Sequence, residues 1–155
     1  MKLRHLAALL CFAAVAALGA EHGKFVGNWE FNPAKSKNVG MMAQMKMTQT
    51  IEQSSSALEV TNHTSFQGRD DESKTHYDLT GKPATNGTPM GGPAQTVSKW
   101  QGSKLVTTWT SESAVAGGPK VVRTETRSLS PDGRTMTVES VRGSGPAMVM
   151  VFEKK

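Results

Sequence analysis

The sequence predicts an all-β chain: an antiparallel up-and-down barrel of about eight strands, with a β-sandwich as the alternative packing. Three observations predict it. Beyond residue 20 the chain holds sixteen Thr against a single Ile, and its apolar residues recur at alternate positions in short runs. Gly and Pro cluster between those runs, with no stretch of helical period among them. Third, the positions sharing a strand face mix apolar residues with Thr, Asn and Gln, a mixture that a partly wetted barrel interior accepts more readily than a sandwich core.

The first twenty residues stand apart. Lys2 and Arg4 precede an apolar run from Leu6 to Leu18, followed by the small residues Gly19 and Ala20. This order predicts a secretory signal peptide over residues 1–20, cleaved after Gly19 or Ala20. The run is shorter than the roughly 20 apolar residues that span a bilayer. Cys11, the only cysteine, lies inside it, so the expected mature chain has no disulfide, thiolate nucleophile or Cys-based zinc site. The expectation is a secreted or periplasmic protein with a single domain over residues 21–155. Setting aside Lys2 and Arg4 from the 18 Lys+Arg leaves 16 against 13 Asp+Glu, too even for strong capture of nucleic acid. Lys35, Lys37, Lys46 and Lys120 are scattered and lack interleaved aromatics, which agrees.

Nine alternating runs follow in order. Run 25–31 carries Trp29 and Phe31. Run 45–53 sets Met45, Met47, Gln49 and Ile51 on one face, and run 58–66 does the same for Leu58, Val60, Asn62, Thr64 and Phe66. Run 74–79 aligns Tyr77 with Leu79. Runs 95–101 and 104–111 are joined by a Gly102 turn and bring Trp100, Leu105 and Trp109. Runs 120–129, 135–142 and 147–153 are joined by turn formers at 130–133 and 143–146. Short connections make neighbours pair antiparallel, and eight strands would close a barrel. The connections 32–44 and 80–94 are longer. The second, broken by Gly81, Pro83, Gly87, Pro89, Gly91, Gly92 and Pro93, reads as an irregular lid or binding loop.

Gly27-Asn28-Trp29 early in the chain, continued by Asn32, Lys35 and Ser36, resembles the opening of small secreted bacterial lipocalin-like (calycin-type) β-barrel proteins, most of them uncharacterised. The resemblance spans about ten residues plus the strand count. It implies that Trp29 plugs the closed end of a barrel beneath a basic side chain from near the last strand, with Arg142 and Lys154 as candidates; such a contact is worth roughly 0.5–2 kcal/mol. Gly27, Trp29 and Arg142 are thus expected to be structural. The chain differs from lipocalins in lacking disulfide cysteines, a helix after the last strand and a clear second signature.

Chemistry-bearing groups are few. A hairpin turning within 66–73 would set His63 opposite His76, a pair able to share a metal or a proton. Both have parity opposite to Val60 and Tyr77, however, and two outward-facing imidazoles are the simpler reading. Asp70, Asp71 and Glu72 fall at the expected hairpin tip, where water keeps carboxylates ionised and unsuited to an acid–base dyad. Met41, Met42, Met45 and Met47 would suit Cu(I), or fill an irregular core. Asn62 and Asn86 begin glycosylation sequons, meaningful only in a glycosylating host.

The expected function is an exported, non-enzymatic barrel enclosing a small apolar ligand, lined by Met47, Ile51, Val60, Phe66, Tyr77, Leu79, Leu105 and Trp109, with no metal or cofactor. The alternatives are an envelope interaction module with a filled interior and Met-based Cu(I) handling.

Overall fold

A computed structural model describes residues 22–88 and 91–155; the expected signal peptide, with Cys11, lies outside them. Ten strands rather than eight follow one another: β1 (Gly27–Phe31), β2 (Lys46–Gln53), β3 (Ala57–Phe66), β4 (Arg69–Asp78), β5 (Ala84–Gly87), β6 (Pro93–Gln101), β7 (Lys104–Ser111), β8 (Val121–Leu129), β9 (Thr135–Arg142) and β10 (Met148–Lys154). They form one antiparallel sheet in the order β4-β3-β2-β1-β10-β9-β8-β7-β6-β5. The sheet curls until its edges, β4 and β5, touch. One continuous, nearly closed sheet replaces the sandwich alternative, which needs two layers.

Two departures from the sequence reading have local causes. Gln67 and Gly68 both adopt left-handed backbone, with φ of 50° and 78°, so the β3–β4 turn needs only these two residues. Strand pairing resumes at once, with Phe66 opposite Arg69. Asp70, Asp71 and Glu72 therefore lie within β4 rather than at a hairpin tip, on an edge strand where charges discourage unwanted pairing. β5 arises in the stretch expected to be irregular, because Ala84 to Gly87 pairs with Thr96 to Pro93. The connection after β1 contains two 3-10 turns, Pro33–Lys35 and Gly40–Gln44.

The β4–β5 seam carries no ladder, and a side chain bridges it. The His76 backbone N–H donates to Asn86 Oδ1 (2.9 Å), while Asn86 Nδ2 donates to the His76 carbonyl (2.8 Å) and to Thr96 Oγ1 (2.8 Å). The amide of Asn86 thus substitutes for a missing stretch of backbone. With the side chain buried and all three bonds made, the Asn86 sequon is closed to modification in the folded chain.

At one end of the barrel, the segment before β1 crosses the opening. Phe25 and Trp29 are fully buried, and Trp29 Nε1 donates to the Phe25 carbonyl (2.8 Å). Lys154, not Arg142, covers the indole, its Nζ 5.4 Å from the ring centroid. Register decides this, since Lys154 pairs directly with Trp29, while Arg142 pairs with Arg123 at the far end of β9. Gly27 makes room: its φ is 132°, and a Cβ there would meet Lys154 Cε at 3.0 Å.

The residues after Trp29 staple the turn to β10. Asn32 accepts from the Lys35 N–H and donates to Glu153 (3.1 Å), Lys35 Nζ meets Glu153 at 2.5 Å, and the Val151 N–H donates to Ser36 Oγ (2.9 Å). The bond from Lys35, then that from Asn32, holds the Glu153 carboxyl below its ordinary pKa.

Two outcomes follow. Asn86→Ala should leave the His76 N–H and carbonyl unpaired and cost about 1–3 kcal/mol, with amide exchange at His76 rising more than at Trp29. Because the Glu153 pKa is lowered in the folded state, its stabilisation is present above the unfolded value and is lost as pH falls through the folded one. The urea-midpoint difference between wild type and Lys35→Ala should therefore shrink on acidification.

Candidate functional site

The inner face of β8 holds charge. Along this strand Arg123, Glu125 and Arg127 share one side, and Arg127 stands opposite Leu105 on β7 and Val138 on β9, both fully buried. That pairing turns the whole row inward. Glu125 is 6% exposed and Arg127 3%, so both need partners inside the barrel.

The partners come from strands distant in sequence. Arg127 Nη2 lies 3.6 Å from Glu125 Oε1, and its Nη1 donates to Gln49 Oε1 (3.1 Å). Gln49 in turn donates to Asn62 Oδ1 (2.8 Å). Tyr77 Oη donates to Glu125 Oε1 (2.9 Å), and the Arg127 guanidinium lies 5.6 Å from the Tyr77 ring centroid. Burial first, and then the negative charge of Glu125, pushes the Tyr77 hydroxyl well above the ordinary phenol value, so it stays a neutral donor. Trp109 meets Tyr77 edge to face (6.1 Å), and Arg123 lies over the Trp109 ring, 4.5 Å from its centroid and 4.0 Å from Glu125. Two buried donors in this cluster, Arg127 Nε and Trp109 Nε1, have no acceptor among the described residues.

The expected lining residues divide. Ile51, Val60, Tyr77, Leu105 and Trp109 are buried in the core, with Met47 and Leu79 packed against it. Leu79, just past β4, borders a depression at the plugged end beside Trp100. Phe66 is half-exposed at the β3–β4 turn. Sequence reading missed Arg123, Glu125 and Arg127, because Val122, Thr124 and Thr126 alternate with them and look the more suitable inward set. Parity to Leu129 was the available signal.

The two histidines do not meet. The two-residue turn shifts the register so that His63 faces Glu72 and His76 faces Glu59, each imidazole meeting that carboxylate on the outer face. An open depression of about 510 Å³ lies around His63, Lys46, Asp70 and Glu72. Among the described residues no group of three or more His, Cys, Asp or Glu is placed to hold a metal ion. Met42, Met47, Met148 and Met150 pack against the core and Met41 is exposed, an arrangement that the gap-filling role of thioethers explains.

Removing Arg127 alone should strand the Glu125 carboxylate and cost about 3–5 kcal/mol, whereas the double variant Glu125→Leu with Arg127→Met should recover most of it. Urea unfolding of both variants measures the difference.

No protein-family model and no curated protein matches this chain. Solved structures do. Fatty-acid-binding protein 1 of Echinococcus granulosus is similar with a TM-score of 0.65 and 12% identity, over 84% of this chain and 96% of that one. A fatty-acid-binding protein from Drosophila melanogaster brain is similar with a TM-score of 0.63 and 16% identity, over 84% and 99%. The REP1-NXSQ fatty acid transporter gives 0.64 and 15%, over 84% and 95%. At these identities the likeness is one of fold: this chain is an antiparallel, nearly closed ten-stranded barrel whose fold is similar to that of these fatty-acid-binding proteins.

Proposed function

We propose that this protein is an exported, non-enzymatic barrel that binds a small apolar ligand on its inner face. The observation that carries the reading is the composition of that face. Core residues such as Ile51, Val60 and Leu105 surround a small buried polar cluster, which is the usual makeup of a small-molecule site. Along the β3–β4 hairpin the inward positions Asn62, Thr64 and Phe66 are half-exposed and Ser73 is exposed, which is where we expect a ligand to enter. The similar solved proteins are fatty-acid-binding by their own descriptions, which supports an apolar ligand for the shared barrel. Export rests on the order of charged, apolar and small residues in 1–20, a reading under which the protein acts outside the cell or in the periplasm.

One observation favours a second reading. Ser98 and Thr107, both buried, satisfy each other across β6 and β7 (2.9 Å), as expected of an interior that is filled for its own stability. In that case the barrel is an envelope interaction module.

Titration of delipidated protein with fatty and isoprenoid compounds separates the readings. Binding should shift tryptophan emission, since Trp109 lies in the inner cluster, and raise the melting temperature as ligand exceeds Kd. A panel that moves neither quantity removes the ligand-binding reading in favour of the filled module.

A further inference from the structure

We infer that the inner cluster is built for an uncharged, hydrogen-bond-accepting head group, such as an ester, ketone or alcohol on an apolar chain, and disfavours a free carboxylate. This deepens the apolar-ligand reading and rests on it.

Charge comes first. The most deeply buried cation, Arg127, already faces an anion: Glu125 lies two residues back on the same strand, 3.6 Å away. Glu125 also receives the Tyr77 hydroxyl. A second carboxylate brought among these groups would lie beside the first in a buried site, where like charges repel strongly. The remaining cation, Arg123, is about a quarter exposed, lies over Trp109 and shares Glu125 at 4.0 Å. It therefore offsets an incoming anion only at the solvent side of the cluster.

Unmet hydrogen bonding points the same way. Among the described residues, Arg127 Nε and Trp109 Nε1 are buried donors without acceptors, a costly condition for native groups. They flank the Thr107–Glu125 pair, with Trp109 opposite Arg123 and Arg127 opposite Leu105. Trp109 and Arg127 both contact Tyr77. Arg127 Nη1 is engaged with Gln49 and with Met136 Sδ, Gln49 with Asn62, and Tyr77 with Glu125. What the cluster lacks is acceptors. A neutral oxygen supplies one without adding charge beside Glu125.

The test compares palmitic acid, methyl palmitate, hexadecanol and hexadecane at neutral pH by displacement of a fluorescent apolar probe. The ester and alcohol should bind about tenfold or more tighter than the acid, and also tighter than hexadecane. Glu125→Gln should narrow or invert the ester-to-acid ratio by relieving the repulsion. Trp109→Phe, which keeps a ring and removes the donor, should weaken the ester several-fold more than hexadecane. An acid that binds wild type as tightly as the ester overturns the inference while leaving the apolar-ligand reading intact, as does an unchanged ratio in folded Glu125→Gln. Failure of all four compounds to displace the probe removes both. The wild-type comparison needs no variant, so misfolding of either substitution leaves the inference decidable.

Discussion

Closure of the sheet is the constraint on which the rest of this molecule depends. An open ten-stranded sheet would expose two edges and leave its inner face without cover. Curling brings β4 to β5, but the two strands meet without a ladder, and the junction is held through the Asn86 side chain, which engages both backbone groups of His76. At this seam the wall depends on a single side chain, placed at the end of β4 away from the β3–β4 turn.

Once closed, the barrel must account for every polar group it encloses. It does so largely by pairing residues far apart in sequence. Gln49 and Arg127 are 78 positions apart, and Tyr77 and Glu125 are 48 apart. Such a network adds little net stability compared with apolar residues of the same volume, because each ion has lost its hydration. It does fix how the strands face one another, since breaking one partner leaves another uncompensated. The two donors it leaves without acceptors set it apart from the fully paired Ser98–Thr107 contact nearby.

The plugged end shows the complementary solution, in which apolar packing dominates. Trp29 is sealed by its own bond to Phe25, by Lys154 above the ring and by the neighbouring stack of His22, Trp100 and Phe25. The run Asn32, Lys35 and Ser36 extends this end by tying the first turn to the last strand. Short sequence features therefore act at long range here, because β1 and β10 are neighbours in the sheet though they stand at opposite ends of the described chain.

Local alternation and turn chemistry were enough to determine the all-β class, the antiparallel meander, the place of eight of the ten strands with small shifts of boundary, and the outward aim of His63 and His76. They were not enough for β4 and β5. A charged edge strand such as 69–73 resembles a turn when its partner is unknown, and Ala84–Gly87 becomes a strand only because β6 offers it a ladder. The direction in which Glu125 and Arg127 point was likewise undetermined, since both faces of β8 are polar and only pairing with Leu105 and Val138 turns them inward. The choice of Lys154 over Arg142 came from the β1–β10 register. Periodicity reports which residues share a face, whereas closure of the barrel decides which face is inside and which distant charges must meet there.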